Sequence, residues 1–491
     1  MEESIIILFS LVLFFIFLYS LSVLHLLINY LRCRRREQPS LIMTAESLPF
    51  VTIQLPIFNE RPVVERLLRN IAKMDYPREK LEVQVLDDSD DDSPEFTSKL
   101  IAEMCESGIR FRHIRRESRS GFKAGALKRG LETAIGDFVA IFDADFLPER
   151  DWLKKTLPAF ENPQIGVVQT RWGHLNDNYS LLTRLQAFLL DYHFILEQNG
   201  RNYGNHFINF NGTAGIWRRS CILDAGDWQG DTLTEDLDLS YRAQLRGWRI
   251  KYLSNIRTMA EIPITLQAAR AQQFRWNKGA AENFRKNFKK VISASGLSWT
   301  TRIHAFFHLF NSSLFVLLLL LGLLSFLVLF TGFQGAPAPL RSLLPVFSIC
   351  PLIFFLSYWV AYSEANGGGW KNFLRYVPLF FGFFSIAMGL SVSNSVAVIE
   401  GHLGKKSPFI RTRKFNLGKE EKLKKQQPTK MDFRMLLETL FMLLFGAALV
   451  IGIAQQTYSL ILFHLMLFLG FSYVTGLSIS EGISFRRKSP R

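Results

Sequence analysis

Two carboxylates two residues apart, Asp143 and Asp145, close the run Phe-Val-Ala-Ile-Phe-Asp-Ala-Asp at 138–145. The five apolar residues ahead of them predict a strand buried on both faces. Residues i and i+2 of an extended chain point to one side, so the pair can converge on one hard divalent cation that keeps room for substrate phosphates. An Asp-x-Asp is also an ordinary helix cap or loop sequence, so its company decides its meaning. That company is considerable. Asn59-Glu60 and Asp87-Asp88-Ser89 stand at the ends of two more expected strands. Thr234-Glu235-Asp236 precedes a helix-like run, 237–245, where a capping box with Thr234 as N-cap is the plainer alternative. Phe210-Asn211-Gly212-Thr213 has the small residues of a tight turn that a ligand approaches closely. Gln272, Arg275 and Trp276 share one helix face, where Trp276 also suits a headgroup anchor. A metal-holding pair suggests a diphosphate-bearing substrate, with a further carboxylate as base and Arg275 or Lys123 to neutralise a leaving phosphate.

The elements that position these groups alternate quickly. Strands are predicted at 51–55, 82–86, 111–114 and 138–142, and helices at 62–73, 94–106 and 123–134. Strand and helix alternating at this pace imply an α/β unit with a parallel sheet and right-handed crossovers, whose ligands bind beyond the carboxyl ends of the strands. Residues 267–290 read as an amphipathic helix on a membrane surface.

Around that unit the chain is apolar in blocks. Hydrophobic residues make up 48%, yet mean hydropathy is only +0.11, so a large polar part coexists with the apolar one. The run 5–31 exceeds the roughly 20 residues that cross a bilayer. It is too long for a cleaved leader, and Arg32, Arg34, Arg35 and Arg36 follow it. The N-terminus is therefore expected outside and the next domain in the cytoplasm. Four more spans are expected at 304–331, 343–363, 434–454 and 458–478. The stretch 376–399 is ambiguous; as an interfacial or re-entrant helix it keeps the basic segment 405–430 and the C-terminus inside. The net charge of +15 fits anionic lipid, and no nucleic-acid-binding motif is present. Cys33, Cys105, Cys221 and Cys350 are too scattered for a disulfide framework or a metal cluster.

Taken in order, Asp87-Asp88-Ser89, Asp143-Ala-Asp145, Thr234-Glu-Asp236 and Gln272-x-x-Arg275-Trp276 resemble the signature set of processive family-2 glycosyltransferases, which include cellulose synthases and plant cellulose-synthase-like mannan synthases. Gln169-Thr-Arg-Trp172, Phe210-Asn-Gly-Thr213 and the turn at Lys123 fit as well, and the likeness covers nearly the whole chain. The resemblance implies a cytoplasmic, Rossmann-like GT-A domain inserted between about five membrane helices. Its expected divisions are a membrane helix and basic flank at 1–36, the catalytic unit at 46–262 and an interfacial helix at 263–300. Two spans at 301–363, an interfacial helix with a basic loop at 371–430, and two spans with a cytoplasmic tail at 431–491 complete them.

By resemblance, Asp87 and Asp88 contact the nucleotide while Phe58 and Glu60 help hold its base. Lys123, Gln272 and Arg275 also belong to the donor side. Asp143 and Asp145 handle the diphosphate and its Mg²⁺ or Mn²⁺. Asp236 is the general base. Glu235, Trp276 and the turn of Phe210, Asn211, Gly212 and Thr213 meet the acceptor. Phe409-Ile-Arg-Thr412-Arg-Lys414 resembles a gating loop, with Arg411 where the family has Val. The implied reaction transfers a hexose from UDP-glucose or GDP-mannose to a growing β-linked glycan with inversion and translocation. A non-processive enzyme with a diacylglycerol, ceramide or polyprenyl-phosphate acceptor is the alternative. The expected location is a multi-pass membrane protein of a bacterial inner or plasma membrane, or of the Golgi.

Overall fold

A computed structural model describes residues 2–34, 47–105, 108–331, 344–407, 414, 416 and 433–486. Phe409 and Thr412 lie outside the described residues, as do Arg35, Arg36, and most of 405–430.

The sheet is built around β1 (Val51–Ile57) and β4 (Phe138–Ile141). β2 (Leu81–Asp87) and β3 (Arg110–Arg115) add on one side, and β6 (Gly215–Arg218), β5 (Ile165–His174) and β7 (Arg249–Ala260) on the other, in the order β3-β2-β1-β4-β6-β5-β7. All four predicted strands are present, and β4 is buried at every position. β1 to β4 are mutually parallel as expected, with Ile57 opposite Asp87 and Gln54 opposite Ile141. The sheet as a whole is mixed, because β6 runs antiparallel to both β4 and β5. The cause lies in the helical passage from Leu181 to Tyr203, after which the chain re-enters the sheet from the strands' carboxyl end. Gly215 then pairs with Ile141, and the Phe210–Thr213 turn is delivered beside Asp143. After β4 the chain turns, with the Phe146 N–H donating to the Asp143 carbonyl. Asp143 and Asp145 thus stand in a turn, where an extended chain was expected.

The helix expected at 267–290 runs from Leu266 to Ser293. It is clamped on two sides. On one, Leu233 N–H donates to Glu282 and Asn287 donates to Asp238. On the other, Lys278 pairs with Glu400 at 3.1 Å and Asn394 donates to Gln273. Arg270 reaches the fully buried Glu438 of helix Phe433–Ala454 at 2.6 Å.

Among the described residues, five helices are long and apolar enough to cross a membrane: Glu2–Cys33, Trp299–Thr331, Pro345–Asn366, Phe433–Ala454 and Tyr458–Glu481. They match the five expected spans. The ambiguous stretch is a pair of helices, Trp370–Gly389 and Ser391–Leu403, bent by 53° at their junction. Its polar run, Ser391, Ser393, Asn394 and Ser395, is buried, and Asn394 reaches the clamped helix.

Candidate active site

The carboxyl ends of β1, β2 and β4 open into one cavity, at the place where neighbouring connections leave β1 in opposite directions. Phe58, Glu60, Asp88, Lys123, Asp143 and Asp145 line its sheet side. Asn211, Gly212, Glu235, Asp236, Gln272, Arg275, Trp276 and Lys414 line the rest. Among the described residues of the sequence set, three do not line it. Asp87 is buried beneath it, Phe210 is wholly within the core, and the buried Thr213 supports Asp143 from behind by accepting its backbone N–H at 2.9 Å.

Lys123 joins the two halves of the cavity. Its Nζ donates to Asp143 Oδ1 at 2.6 Å and to the Gly212 carbonyl at 2.9 Å. Burial pushes the Asp143 carboxyl up, but Lys123 and Lys414 outweigh it and hold it below the usual carboxylate range. Lys414 seats its ammonium 2.5 Å from Asp145 Oδ1 and 3.1 Å from Glu60 Oε1. Burial opposes its charge, yet Asp145 and Glu60 keep it firmly protonated. The carboxylate oxygens of Asp143 and Asp145, both lining the cavity, are hard donors of the kind that would suit Mg²⁺ or Mn²⁺.

Asp236 faces them from the first turn of helix Glu235–Leu245. Its Oδ1 accepts the Leu237 N–H at 2.9 Å. Burial, then the neighbouring Glu235 charge, push its carboxyl up to about 7, with Lys123 pulling the other way. Thr234 stands at the N-cap position, but its side chain does not cap the helix; its hydroxyl accepts from Asn283 Nδ2 at 3.0 Å. The capping-box alternative is thereby displaced by a tie to the Gln272–Trp276 helix. Gly279 permits that contact, since a Cβ there would stand 2.5 Å from Thr234 Oγ1.

The opposite turn is held as rigidly. Gln169 donates to the Thr213 and Ala214 carbonyls and accepts the Asn211 N–H, while Gln198 donates to the Asn211 side chain. Gly212 has φ of +79°, and a Cβ would stand 2.9 Å from Asp236 Oδ2. Gly212→Ala therefore meets a left-handed backbone penalty of about 1–2 kcal/mol and displaces a carboxylate, for which a roughly 10²-fold fall in kcat is expected. A steady-state assay with donor binding measured in parallel checks it.

Sequence reasoning missed the basic side chains packed at the β1 and β2 ends. Arg116 forms a two-pronged pair with Asp88, and His113 Nε2 stands 2.9 Å from Asp87 Oδ2. Burial works against the Asp87 charge, but the His113 and Ser89 hydrogen bonds hold its carboxyl below the usual range. Arg119 stacks over the Phe58 ring, its Cζ 3.2 Å from the centroid. The basic run between β3 and Lys123 was the available signal.

Residues 49–279 match the family described as glycosyltransferase like family 2. A probable glucomannan 4-beta-mannosyltransferase 4 of Oryza sativa subsp. japonica is 40% identical over 310 residues, 62% of this chain and 55% of the relative. Glucomannan 4-beta-mannosyltransferase 2 of Arabidopsis thaliana is 39% identical over 274 residues, 54% of this chain and 51% of the relative. The chain spans about half the length of the curated relatives it matches. A mannosyltransferase of Pyrobaculum calidifontis, solved with GDP-Man and Mn²⁺, superimposes with a TM-score of 0.53 at 20% identity over 83% of this chain and 100% of that one. That likeness shows the shared GT-A fold. Residues 49–279 are therefore a family-2 glycosyltransferase domain, set among helices long and apolar enough to cross a membrane.

Proposed function

We propose that the protein transfers mannose from GDP-mannose to a hydroxyl of a growing β-linked polysaccharide, with inversion at the anomeric carbon. The observation that carries the reading is Lys123, which ties the Asp143 carboxylate to the turn that flanks Asp236 within one cavity. The names of the relatives favour mannose over glucose as the sugar transferred. Asp88, Phe58 and Glu60 hold the nucleotide, and Asp87 acts from beneath it. Asp143 and Asp145 hold a divalent ion, which when bound neutralises charge on the departing diphosphate. Lys123, Gln272 and Arg275 attend the same phosphates.

Trp276, Glu235 and the Asn211–Gly212 edge of the turn receive the acceptor sugar, with Phe210 and Thr213 supporting them. Asp236 accepts the proton of the acceptor hydroxyl as its oxygen bonds to the anomeric carbon and the bond to the diphosphate breaks. The basic flank after the first helix supports a cytoplasmic catalytic domain, an outer N-terminus and export of the glycan through the membrane helices. Membranes carrying the protein, given labelled GDP-mannose or UDP-glucose, test the reading. A mannanase-sensitive polymer from GDP-mannose is expected. Label confined to a solvent-extractable, single-sugar lipid overturns it in favour of the glycolipid enzyme.

Only the deprotonated Asp236 can serve as base, so kcat/KM is expected to fall as pH drops below about 7. Glu235→Gln removes the neighbouring negative charge and should move that acid limb to lower pH. A limb that stays in place would detach it from the Asp236 carboxyl.

A further inference from the structure

One turn of π-helix, Tyr192–Glu197, interrupts the helical passage that precedes the Phe210–Thr213 turn. Such turns are rare and concentrate at functional sites. The effect here is on side-chain placement. At about 3.6 residues per turn, positions i and i+5 of an α-helix leave on different faces, whereas the wider π turn, with its i→i+5 bond, stacks them. His193 and Gln198 accordingly reach one and the same side chain, that of Asn211. Asn211 lines the cavity, while His193 and Gln198 stand behind it. Gln198 is wholly buried, and the His193 side chain is 23% exposed.

Two separate anchors fix the polarity of these contacts. Gln198 Nε2 lies 3.0 Å from the Asn209 backbone carbonyl, which only accepts, so that atom is the donating nitrogen. It also lies 2.6 Å from the Asn211 side chain, whose atom there must then be the oxygen, Oδ1. Asn211 Nδ2 is thereby turned to His193 Nε2 at 3.0 Å, and this ring nitrogen must accept. At the other end of the ring, Nδ1 lies 2.8 Å from Glu197 Oε2. Burial opposes the Glu197 charge, but Arg201 and the His193 contact hold its carboxyl below the usual range. A carboxylate only accepts, so Nδ1 carries the hydrogen. The two anchors agree on one ring state, neutral, with the hydrogen on Nδ1 and the lone pair on Nε2.

We infer that His193 is a positioning residue for the acceptor: with Glu197 behind it, it sets the direction of the Asn211 amide, which binds a hydroxyl of the incoming glycan. After the bonds to His193 and Gln198, that amide has one N–H and one oxygen lone pair left for the cavity. A sugar hydroxyl, donor and acceptor at once, suits the pair. A reversed amide would meet Gln198 donor to donor and His193 acceptor to acceptor. The backbone of the turn is held separately, through the Asn211 N–H to Gln169 at 2.8 Å. Loss of His193 should therefore disturb the amide and spare the turn. The role rests on the acceptor assignment of Asn211 proposed above and does not depend on which sugar is transferred.

The test gives the full chain in detergent labelled GDP-mannose or UDP-glucose, with short β-linked manno- or gluco-oligosaccharides as acceptors. His193→Leu, similar in bulk but without a lone pair, should raise acceptor KM by about tenfold or more, with donor affinity kept within about twofold. His193→Gln returns an amide oxygen towards Asn211 and should recover most of that loss. Action through Asn211 also requires that His193→Leu add less than about twofold to acceptor KM in the Asn211→Ala background. An unchanged acceptor KM in His193→Leu, or equal damage from the Leu and Gln variants, overturns the role. If His193→Leu does not fold, nitrogen NMR of the ring-labelled unaltered protein decides, with the His193 signal assigned by its loss in His193→Gln. A neutral ring with its hydrogen on Nδ1 upholds the role, and a hydrogen on Nε2 overturns it. Failure of the unaltered protein to transfer either sugar to an oligosaccharide counts against the proposed function, and the ring-nitrogen signal then judges His193 alone.

Discussion

The Asp236→Asn protein is expected to bind donor nucleotide within about twofold of the unaltered protein and to transfer sugar roughly 10²–10⁴ times more slowly, the range that general-base catalysis supplies. The amide is nearly isosteric with the carboxylate, and its oxygen can still accept the Leu237 N–H now held at 2.9 Å. Gly212 leaves the same space beside it, so the turn should not shift. What disappears is basicity. An ordinary Asp, near 3.9, is a poor base towards a sugar hydroxyl. Burial and the Glu235 charge raise this one to about 7, much closer to what proton acceptance near neutral pH requires. Calorimetric titration of nucleotide and single-turnover transfer separate the two properties. Near-normal turnover would remove Asp236 from the proton transfer, while equal loss of binding and turnover would indicate damage to the cavity.

The parts legible in the sequence are those whose signal is local. The uninterrupted apolar run of β4 and the strand-like segments of β1 and β2, alternating with helices, specify a parallel sheet, and polar residues directly after those strands must then emerge at one edge of it. Asn59-Glu60, Asp88 and Asp143 therefore converge without any long-range information. The antiparallel β6 was not legible, because four residues carry too little pattern and its direction depends on the helical passage before it. Thr234 shows the limit most clearly. Its local setting is that of an N-cap, yet Asn283, far along the chain, takes the hydroxyl. The pairing of Lys414 with Asp145 and Glu60 is of the same kind: charge complementarity names possible partners, and only the fold selects one.

Asp145→Ala is expected to remove the dependence of donor binding on Mg²⁺ or Mn²⁺ and to lower donor affinity by about 100-fold in their presence, since loss of a direct ligand should cost at least as much as loss of an outer partner. Without metal, the change should be far smaller or reversed. Asp145 and Glu60 both hold the Lys414 ammonium. Removing one releases a buried cation that can then turn to the diphosphate, a charge-assisted contact worth more than a neutral one. Asp143 stays charged in this variant, because Lys123 remains at 2.6 Å and the Thr213 hydroxyl still fixes its backbone. The two carboxylates should accordingly behave differently. Asp143→Ala also unmoors Lys123 and through it the Gly212 carbonyl, so it should impair acceptor use as well as metal binding. Nucleotide titrations of both variants with and without Mn²⁺, alongside acceptor KM, resolve this. If Asp145→Ala keeps the same metal-dependent increase in affinity as the unaltered protein, the ion is held elsewhere, and the Lys414 seat is an ion pair of the resting cavity only.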